Sequence, residues 1–170
     1  MDRPSLHEGF VLSCGLGEDA SFDVELAQRY GCRIVIVDPT PRAVEHFRQL
    51  RLRCGQPASE PYTSHGTQEV RSYNLESVTE DQFTLVAKAL TNHCGQVRFF
   101  APPDVNSVSY SLVNFQNDYA TNTAHIEVEA IDTHSLLTET GLGDVALMKL
   151  DIEGAEIAVI PDLLKSGFRP

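Results

Sequence analysis

Near the start of the chain, an apolar run meets a glycine turn and a helix-like pattern follows. The run ends at Cys14, the turn contains Gly15 and Gly17, and the helical pattern spans residues 20–30. A strand, a G-x-G turn and a helix in this order are typical of the nucleotide-binding unit of α/β proteins. Glycines suit such a turn because a side chain would keep the backbone away from a bound ribose. Because G-x-G turns are common, a second sequence feature is needed to support nucleotide binding.

A second apolar run, which ends in an acid, provides that feature. Residues 33–37 are Arg-Ile-Val-Ile-Val, and Asp38 follows, 21 positions after Gly17. A continuous Ile/Val run is typical of a strand covered on both faces of a parallel sheet. An acid about 20 residues beyond the glycine turn, at the end of the second strand, is where a ribose diol is held. Together the two features predict a nucleoside-binding site.

Strand-like and helix-like patterns alternate along the rest of the chain. After a helix over 42–54 we expect a polar surface excursion over 56–77, which has the length of a lid, and a helix from the capping box at 79–82 to about Gly95. The remaining expected elements are a third parallel strand at 97–100, a hairpin of 107–112 with 126–130, a helix over 133–140, a fourth parallel strand at 145–150 and a helix from Ala155.

This alternation predicts an α/β fold with a mostly parallel, Rossmann-like sheet flanked by helices. We expect residues 1–170 to form a single domain. Because only four parallel strands are accounted for, we also expect the domain to continue past Pro170.

Composition excludes several classes of function. The chain has 24 acidic and 13 basic residues, for a net charge of −11, which disfavours a nucleic-acid partner. No apolar run approaches the roughly 18 residues that span a bilayer, so we expect no membrane segment. The four cysteines form no C-x-x-C pair and the six histidines form no H-E-x-x-H motif, so we expect no metal. Reduced thiols predict a cytoplasmic protein.

Two ligands fit the glycine turn, a dinucleotide and S-adenosylmethionine, and charge separates them. A dinucleotide places its pyrophosphate at the N-terminus of the first helix. Glu18 and Asp19 stand there, and two carboxylates beside a pyrophosphate cost on the order of several kcal/mol at an effective dielectric near 20. S-adenosylmethionine has no phosphate and carries a sulfonium and an ammonium group. The sequence therefore favours it.

Three segments resemble the FkbM-type S-adenosylmethionine-dependent methyltransferases, in particular their "methyltransferase-like" branch. They are 12–23, 37–41 and 148–156, of which K-L-D-I-E-G-A-E is the most specific, and the resemblance extends from about residue 10 to 165. It implies a class I methyltransferase fold with a seven-stranded Rossmann-like sheet. It also implies O-methylation of a sugar or small-molecule hydroxyl. The chain departs from the pattern in two ways: Ser13 stands where many members carry an acid, and the final strands are absent.

The resemblance implies a set of cofactor contacts. Ser13, Gly15 and Gly17 would underlie the methionine end, with Glu18 able to replace the missing acid. Asp38 would bind the ribose hydroxyls, and Asp104 would lie near the adenine.

Candidate catalytic residues come from the specific segment. Lys149, Asp151 and Glu153 alternate, so in an extended chain they project to one side. Asp151 or Glu153 is the candidate base for an alcohol acceptor, with Lys149 holding a partner carboxylate. In the structural alternative, Glu153 caps the following helix and Lys149 only pairs with Asp151. Residues 109–111 are candidates for the acceptor pocket.

Two other functions stay open: an NAD(P)-dependent Rossmann oxidoreductase, and a non-catalytic domain that binds a nucleoside. The methyl acceptor and the oligomeric state do not follow from the sequence.

Overall fold

The computed structural model describes residues 4–63, 66–104 and 107–168. Its strands are β1 Phe10–Cys14, β2 Arg33–Val37, β3 Phe83–Val86, β4 Ala89–Thr91, β5 Gly95–Phe100, β6 His125–Asp132 and β7 Val145–Leu150. Its α-helices are α1 Ser21–Tyr30, α2 Pro41–Leu52, α3 Thr133–Thr140 and α4 Glu156–Ser166. Within the described ranges, no helix is long and apolar enough to cross a membrane.

The main sheet has the order β3-β2-β1-β7, and all its strand pairs are parallel. Ser13, near the end of β1, is in register with Ile36 of β2 on one side and with Lys149 of β7 on the other. The carboxyl ends of these three strands therefore meet at one edge, where open α/β sheets bind ligands. The predicted Rossmann-like α/β fold is confirmed.

The core lies on both faces of this sheet. Val11 belongs to the cluster that α1 and α2 cover, whereas Leu12 packs with residues of α3 and α4 on the opposite face. Successive side chains of a strand point to opposite faces, so β1 separates two apolar layers. The Ile/Val run of β2 is buried in the same two-sided way, as its composition predicts.

The prediction of a helix between residues 79 and 95 is wrong. Thr79 and Gln82 do form the capping box, but it closes only a single 3-10 turn, after which the chain becomes β3 and β4. β3 pairs with β2, with Phe83 opposite Ile34. Its sequence, Phe-Thr-Leu-Val, has high strand propensity. Pairing with an already buried neighbour therefore decides its conformation.

The expected third parallel strand and the hairpin also need correction. β5 contains the predicted residues 97–100, but it runs antiparallel to β6 in a second small sheet of order β4-β6-β5. β3 supplies the third strand of the main sheet instead. β6 pairs with β5 and not with residues 107–112, which contribute only an isolated bridge from Ser111 to Phe100. Within this segment, Tyr110 and Leu112 pack against the apolar cluster of the small sheet.

The excursion at 56–77 is only partly a surface segment. Val70, Tyr73 and Leu75 are buried in the cluster that includes α1 and α2, whereas residues 55–59 are exposed. Its second half therefore completes the core. Gly66 lies beside the cleft described below.

Candidate functional site

A cleft of about 440 Å³ opens at the carboxyl edge of the main sheet. Seven of the nine predicted site residues line it: Gly15, Gly17, Glu18, Asp38, Lys149, Asp151 and Glu153. Ser109 and Tyr110, expected in the acceptor pocket, line it as well, together with the apolar side chains of Leu90, Phe99 and Val108. The structure thus brings together residues from positions 15 to 153 in one concave site.

Gly15 is required by the contact between β1 and β7. Its φ is +88°, and a Cβ built on it would lie 1.8 Å from the carbonyl oxygen of Asp151. The backbone amide of Asp151 in turn donates to the carbonyl of Cys14 at 3.0 Å. This glycine therefore admits the neighbouring backbone and not a ligand, which differs from the reason given by the sequence pattern.

Six amides from Gly15 to Ser21, all except that of Glu18, donate to protein acceptors within the described part of the chain. Gly15 donates to the Val37 carbonyl, Asp19 to the Leu16 carbonyl, Leu16 and Gly17 to the Asp38 carboxylate, Ala20 to the Tyr73 hydroxyl and Ser21 to the Asp19 carboxylate. A phosphate at a helix N-terminus needs such amides to be available. Here six of them already donate to protein oxygens.

Asp38 is the centre of this arrangement. Its Oδ2 accepts from the amides of Leu16 and Gly17 at 2.9 and 3.0 Å, and its Oδ1 accepts from the amide and hydroxyl of Thr40 at 2.9 and 2.7 Å. The side chain is 7% exposed. An ionised carboxylate has about four acceptor positions, so protein donors occupy its capacity. Asp38 thus joins the turn after β1 to the start of α2.

The two other acids at the turn are also paired. Glu18 accepts two hydrogen bonds from the guanidinium of Arg42, from Nε at 3.0 Å and from Nη2 at 2.5 Å. Asp19 accepts from the amide of Ser21 at 2.9 Å and from its hydroxyl. Arg42 belongs to α2, so this ion pair connects the turn to the second helix. Both acids still line the cleft.

Lys149 and Asp151 form the other side of the cleft. Lys149 Nζ donates to the Gly15 carbonyl at 2.5 Å and lies 3.7 Å from Asp151 Oδ2. The Lys149 side chain is 22% exposed and that of Asp151 is 69% exposed. The lysine is therefore held in the wall, whereas the carboxylate of Asp151 is free to meet a ligand.

Glu153 lies in a constrained turn between β7 and α4. Its φ is +51°, a left-handed conformation that costs a non-glycine residue on the order of 1 kcal/mol or more. Its carbonyl accepts from the Ser111 hydroxyl, and its Oε2 lies 3.5 Å from Gln116 Nε2. The amides of Ile152 and Gly154 donate to Glu156, each at 2.8 Å. Glu156, and not Glu153, therefore accepts from the amides of the turn that precedes α4.

Two predicted residues do not line the cleft. Ser13 is fully buried and its hydroxyl has no hydrogen-bond partner within the described chain. Asp104 is exposed. Their predicted contacts with the cofactor stay predictions, but neither side chain forms part of the cleft wall.

Sequence reasoning missed Asp23, a fully buried acid on α1. Burial raises the pKa of its carboxyl to about 6, against the nearby Ser13 hydroxyl and Lys149 ammonium, which lower it. Asp23 lies on the same helical stripe as the buried Ala20 and Ala27. An acid on an apolar stripe is the signal that could have identified it. Tyr73, which accepts from the amide of Ala20 at 2.8 Å, carried no comparable signal.

Comparison with known proteins assigns the chain to a family. The model described as "Methyltransferase FkbM domain" matches residues 13–170. Searches of curated proteins and of solved structures gave no match. The family match includes the glycine turn, Asp38 and the segment from Lys149 to Glu156. The chain belongs to the FkbM methyltransferase family.

Proposed function

We propose that this methyltransferase binds S-adenosylmethionine above the turn from Gly15 to Gly17 and methylates a hydroxyl group of a small molecule or glycan. One observation carries the choice of cofactor: six amides from Gly15 to Ser21 donate to protein oxygens, so they are not available to a phosphate. A ligand without phosphates loses nothing by this arrangement, whereas a dinucleotide loses the principal contact of its pyrophosphate.

The charges of the cleft support the same cofactor. Five lining residues are acids (Glu18, Asp19, Asp38, Asp151 and Glu153), and the cationic lining residue is Lys149. Two unit charges 4 Å apart interact by about 4 kcal/mol at an effective dielectric of 20. Such a surface attracts a sulfonium and an ammonium group and repels a pyrophosphate. The residues present therefore fit S-adenosylmethionine.

Asp38 and Glu18 have different roles in binding S-adenosylmethionine. A ribose hydroxyl that binds Asp38 has to share an oxygen with the amides and the hydroxyl already bonded there. We therefore infer that Asp38 mainly maintains the shape of the glycine turn, and that it affects nucleoside binding through that shape. Glu18, ordered by Arg42, presents a carboxylate at the methionine end, in place of the acid that Ser13 replaces.

When bound, S-adenosylmethionine supplies a methyl group activated by the sulfonium. Methyl transfer to an oxygen needs alignment of the acceptor, exclusion of water and a base for the hydroxyl proton. The apolar wall of Leu90, Phe99 and Val108 excludes water from one side of the cleft. Asp151 presents the most accessible carboxylate and takes the proton, while Lys149 at 3.7 Å stabilises its ionised form.

The test of this function is isothermal titration with S-adenosylhomocysteine and, separately, with NAD⁺. We expect S-adenosylhomocysteine to bind and NAD⁺ not to bind. Ser109→Trp, which fills the cleft, is expected to abolish binding, and the matched Ser59→Trp, at an exposed serine away from it, to leave binding unchanged. Binding of NAD⁺ without S-adenosylhomocysteine would instead favour an oxidoreductase.

A second measurement separates an enzyme from a binding domain. The protein is incubated with S-adenosylmethionine and a panel of sugars and small alcohols, and methylated products are detected by mass spectrometry. Methylation of a hydroxyl supports the proposal. Binding of S-adenosylhomocysteine without transfer to any acceptor of the panel would contradict O-methylation and favour the non-catalytic alternative.

A further inference from the structure

Asp23 is a buried charge that the proposed mechanism does not use. It lies in the first turn of α1, it is fully buried, and neither carboxylate oxygen has a hydrogen-bond partner within the described part of the chain. A buried carboxylate costs free energy unless an opposite charge or donors compensate it. Two nearby groups favour its ionised form, the Ser13 hydroxyl and the Lys149 ammonium, and of these Lys149 carries the opposite charge.

The register of the sheet places Lys149 in the layer between the sheet and α1, which also contains Asp23. Ser13 of β1 shares a face with Val11, the face covered by α1, and Lys149 is the partner of Ser13 on β7. Paired residues on neighbouring strands point to the same face, so Lys149 also projects toward α1. Its Nζ lies 6.0 Å from the ring centroid of Phe22, the residue that precedes Asp23. Lys149 and Asp23 therefore both lie between the sheet and α1, where the Lys149 ammonium favours the ionised form of the Asp23 carboxyl and lowers its pKa.

Lys149 extends from this layer to the cleft. Its Nζ donates to the Gly15 carbonyl and approaches Asp151 Oδ2. It therefore contacts both the turn that shapes the cofactor site and the candidate base. A group that fixes the position of Lys149 acts on both at once.

We propose that Asp23 is a positioning residue, whose buried carboxylate holds the Lys149 ammonium in the cleft wall from beneath the glycine turn. Without this counter-charge, Lys149 loses its electrostatic restraint toward the interior and turns to solvent, as long basic side chains do where they can. Gly15 and Asp151 then lose their common contact. The placement of Lys149 follows from the structure alone, whereas the effect on cofactor affinity rests on the proposed function.

The carboxyl is ionised at the pH where the effect is to be measured. Burial raises the pKa of Asp23 to about 6, so at pH 7.5 the carboxylate predominates and attracts Lys149. Asp23→Asn removes the charge and nearly preserves the shape.

The first test uses lysine acylation, which requires no cofactor. The sequence contains three lysines, Lys88, Lys149 and Lys165, so each gives its own peptide in mass spectrometry. We expect Asp23→Asn to raise the acetylation rate of Lys149 several-fold, while the rates of the other two stay at their wild-type values. Glu25→Gln, at an exposed acid of the same helix, is the matched control and should change none of them. An unchanged rate at Lys149 in Asp23→Asn would overturn the proposal.

The second test asks whether Asp23 acts through Lys149. We expect Asp23→Asn to weaken S-adenosylhomocysteine binding about tenfold, or about 1.4 kcal/mol, and Lys149→Gln to weaken it as well. In the Lys149→Gln background, Asp23→Asn should then have no further effect, whereas a purely structural role gives the same loss in both backgrounds. Equal losses would contradict the proposal.

The two tests also separate this proposal from the proposed function. If wild-type protein does not bind S-adenosylhomocysteine, the cofactor assignment is wrong, and acylation still decides the role of Asp23. If Asp23→Asn does not fold, Lys149→Gln replaces it: unchanged affinity in that variant would show that Lys149 has no part in the site, and the proposal would be wrong.

Discussion

Asp38 lies 3.0 Å from the amide of Gly17 and accepts its hydrogen bond, although the two residues are 21 positions apart. The same carboxylate oxygen accepts from the amide of Leu16 at 2.9 Å. The acid that ends β2 therefore closes the turn that ends β1. In effect a protein carboxylate occupies the donors that a phosphate uses in dinucleotide-binding folds. This arrangement is the reason for proposing a ligand without phosphates at this G-x-G turn.

Replacing Asp38 by Asn should damage both the turn and the cofactor site. A carboxamide has one acceptor oxygen and presents its NH₂ group to donors on the other side, so two of the four hydrogen bonds are lost. We expect the free energy of unfolding in urea to fall by about 1–3 kcal/mol and affinity for S-adenosylhomocysteine to fall with it. Asp144→Asn, at an exposed acid, is the control and should alter neither quantity. Wild-type stability in Asp38→Asn would show that the carboxylate does not hold the turn.

Gly15→Ala should prevent folding. The φ of +88° disfavours a side chain, and the added Cβ would lie 1.8 Å from the Asp151 carbonyl oxygen, so β1 and β7 would have to separate. Gly31 offers a matched control, because its φ is +63° but no atom lies within 4 Å of the added Cβ. We expect Gly31→Ala to lose only about 1–2 kcal/mol and Gly15→Ala to give no cooperative thermal transition. A cooperative transition near the wild-type temperature in Gly15→Ala would contradict this close contact.

The sequence predicts the local units well where local and tertiary signals agree. The run before Gly15 forms β1 and the Ile/Val run forms β2. The spacing predicts Asp38 as a ribose ligand, and does not reveal that its carboxylate accepts from the amides of the glycine turn. The capping box at Thr79 also forms, but the helix expected after it does not. Its residues pair with β2, and propensity at short range does not reveal that partner.

The same distinction applies to the site. Residues at the ends of parallel strands, such as Lys149 and Asp151, could be predicted to share an edge, because strand order does not alter where carboxyl ends lie. Ser13 and Lys149 are register partners on the same face of the sheet, but only the long lysine side chain extends to the cleft, whereas the short serine side chain stays buried. Tyr73 reaches the turn from a loop whose path no periodicity describes.

Asp151→Asn should separate catalysis from binding. The Asp151 backbone, and not its carboxylate, contacts Cys14 and Gly15, and the side chain is 69% exposed. We therefore expect normal thermal stability and nearly wild-type affinity for S-adenosylhomocysteine. Methyl transfer to an acceptor identified by the hydroxyl panel should fall by about 10²–10⁴-fold, as on loss of a general base.

Glu153→Gln is the comparison for that experiment. Glu153 lies nearby, but its Oε2 is 3.5 Å from Gln116 Nε2 and it occupies the strained turn before α4. We expect a smaller loss of turnover than in Asp151→Asn. If Glu153→Gln instead loses more turnover than Asp151→Asn, Glu153 is the base and Asp151 is a residue of the cleft wall.

Asp23→Asn should change how stability depends on pH. Burial raises the pKa of this carboxyl to about 6 in the folded protein, above about 3.9 in an unfolded chain, so the folded state binds its proton more tightly. Ionisation of Asp23 therefore lowers the free energy of unfolding as pH rises from about 4 to about 6. The decrease reaches about 3 kcal/mol once the residue is ionised in both the folded and the unfolded protein. An amide mimics the protonated form and does not incur that loss.

The measurement is the difference in unfolding free energy between Asp23→Asn and wild type, from urea denaturation at pH 4.5 and at pH 7.5. Titration of other groups is common to both proteins and largely cancels in this difference. We expect the unfolding free energy of the variant, minus that of wild type, to be larger at pH 7.5 than at pH 4.5. Together with weaker binding of S-adenosylhomocysteine, this result would mean that the buried carboxylate lowers stability while holding Lys149 in the cleft wall. An equal difference at both pH values would show that Asp23 is not a buried, ionised group at neutral pH.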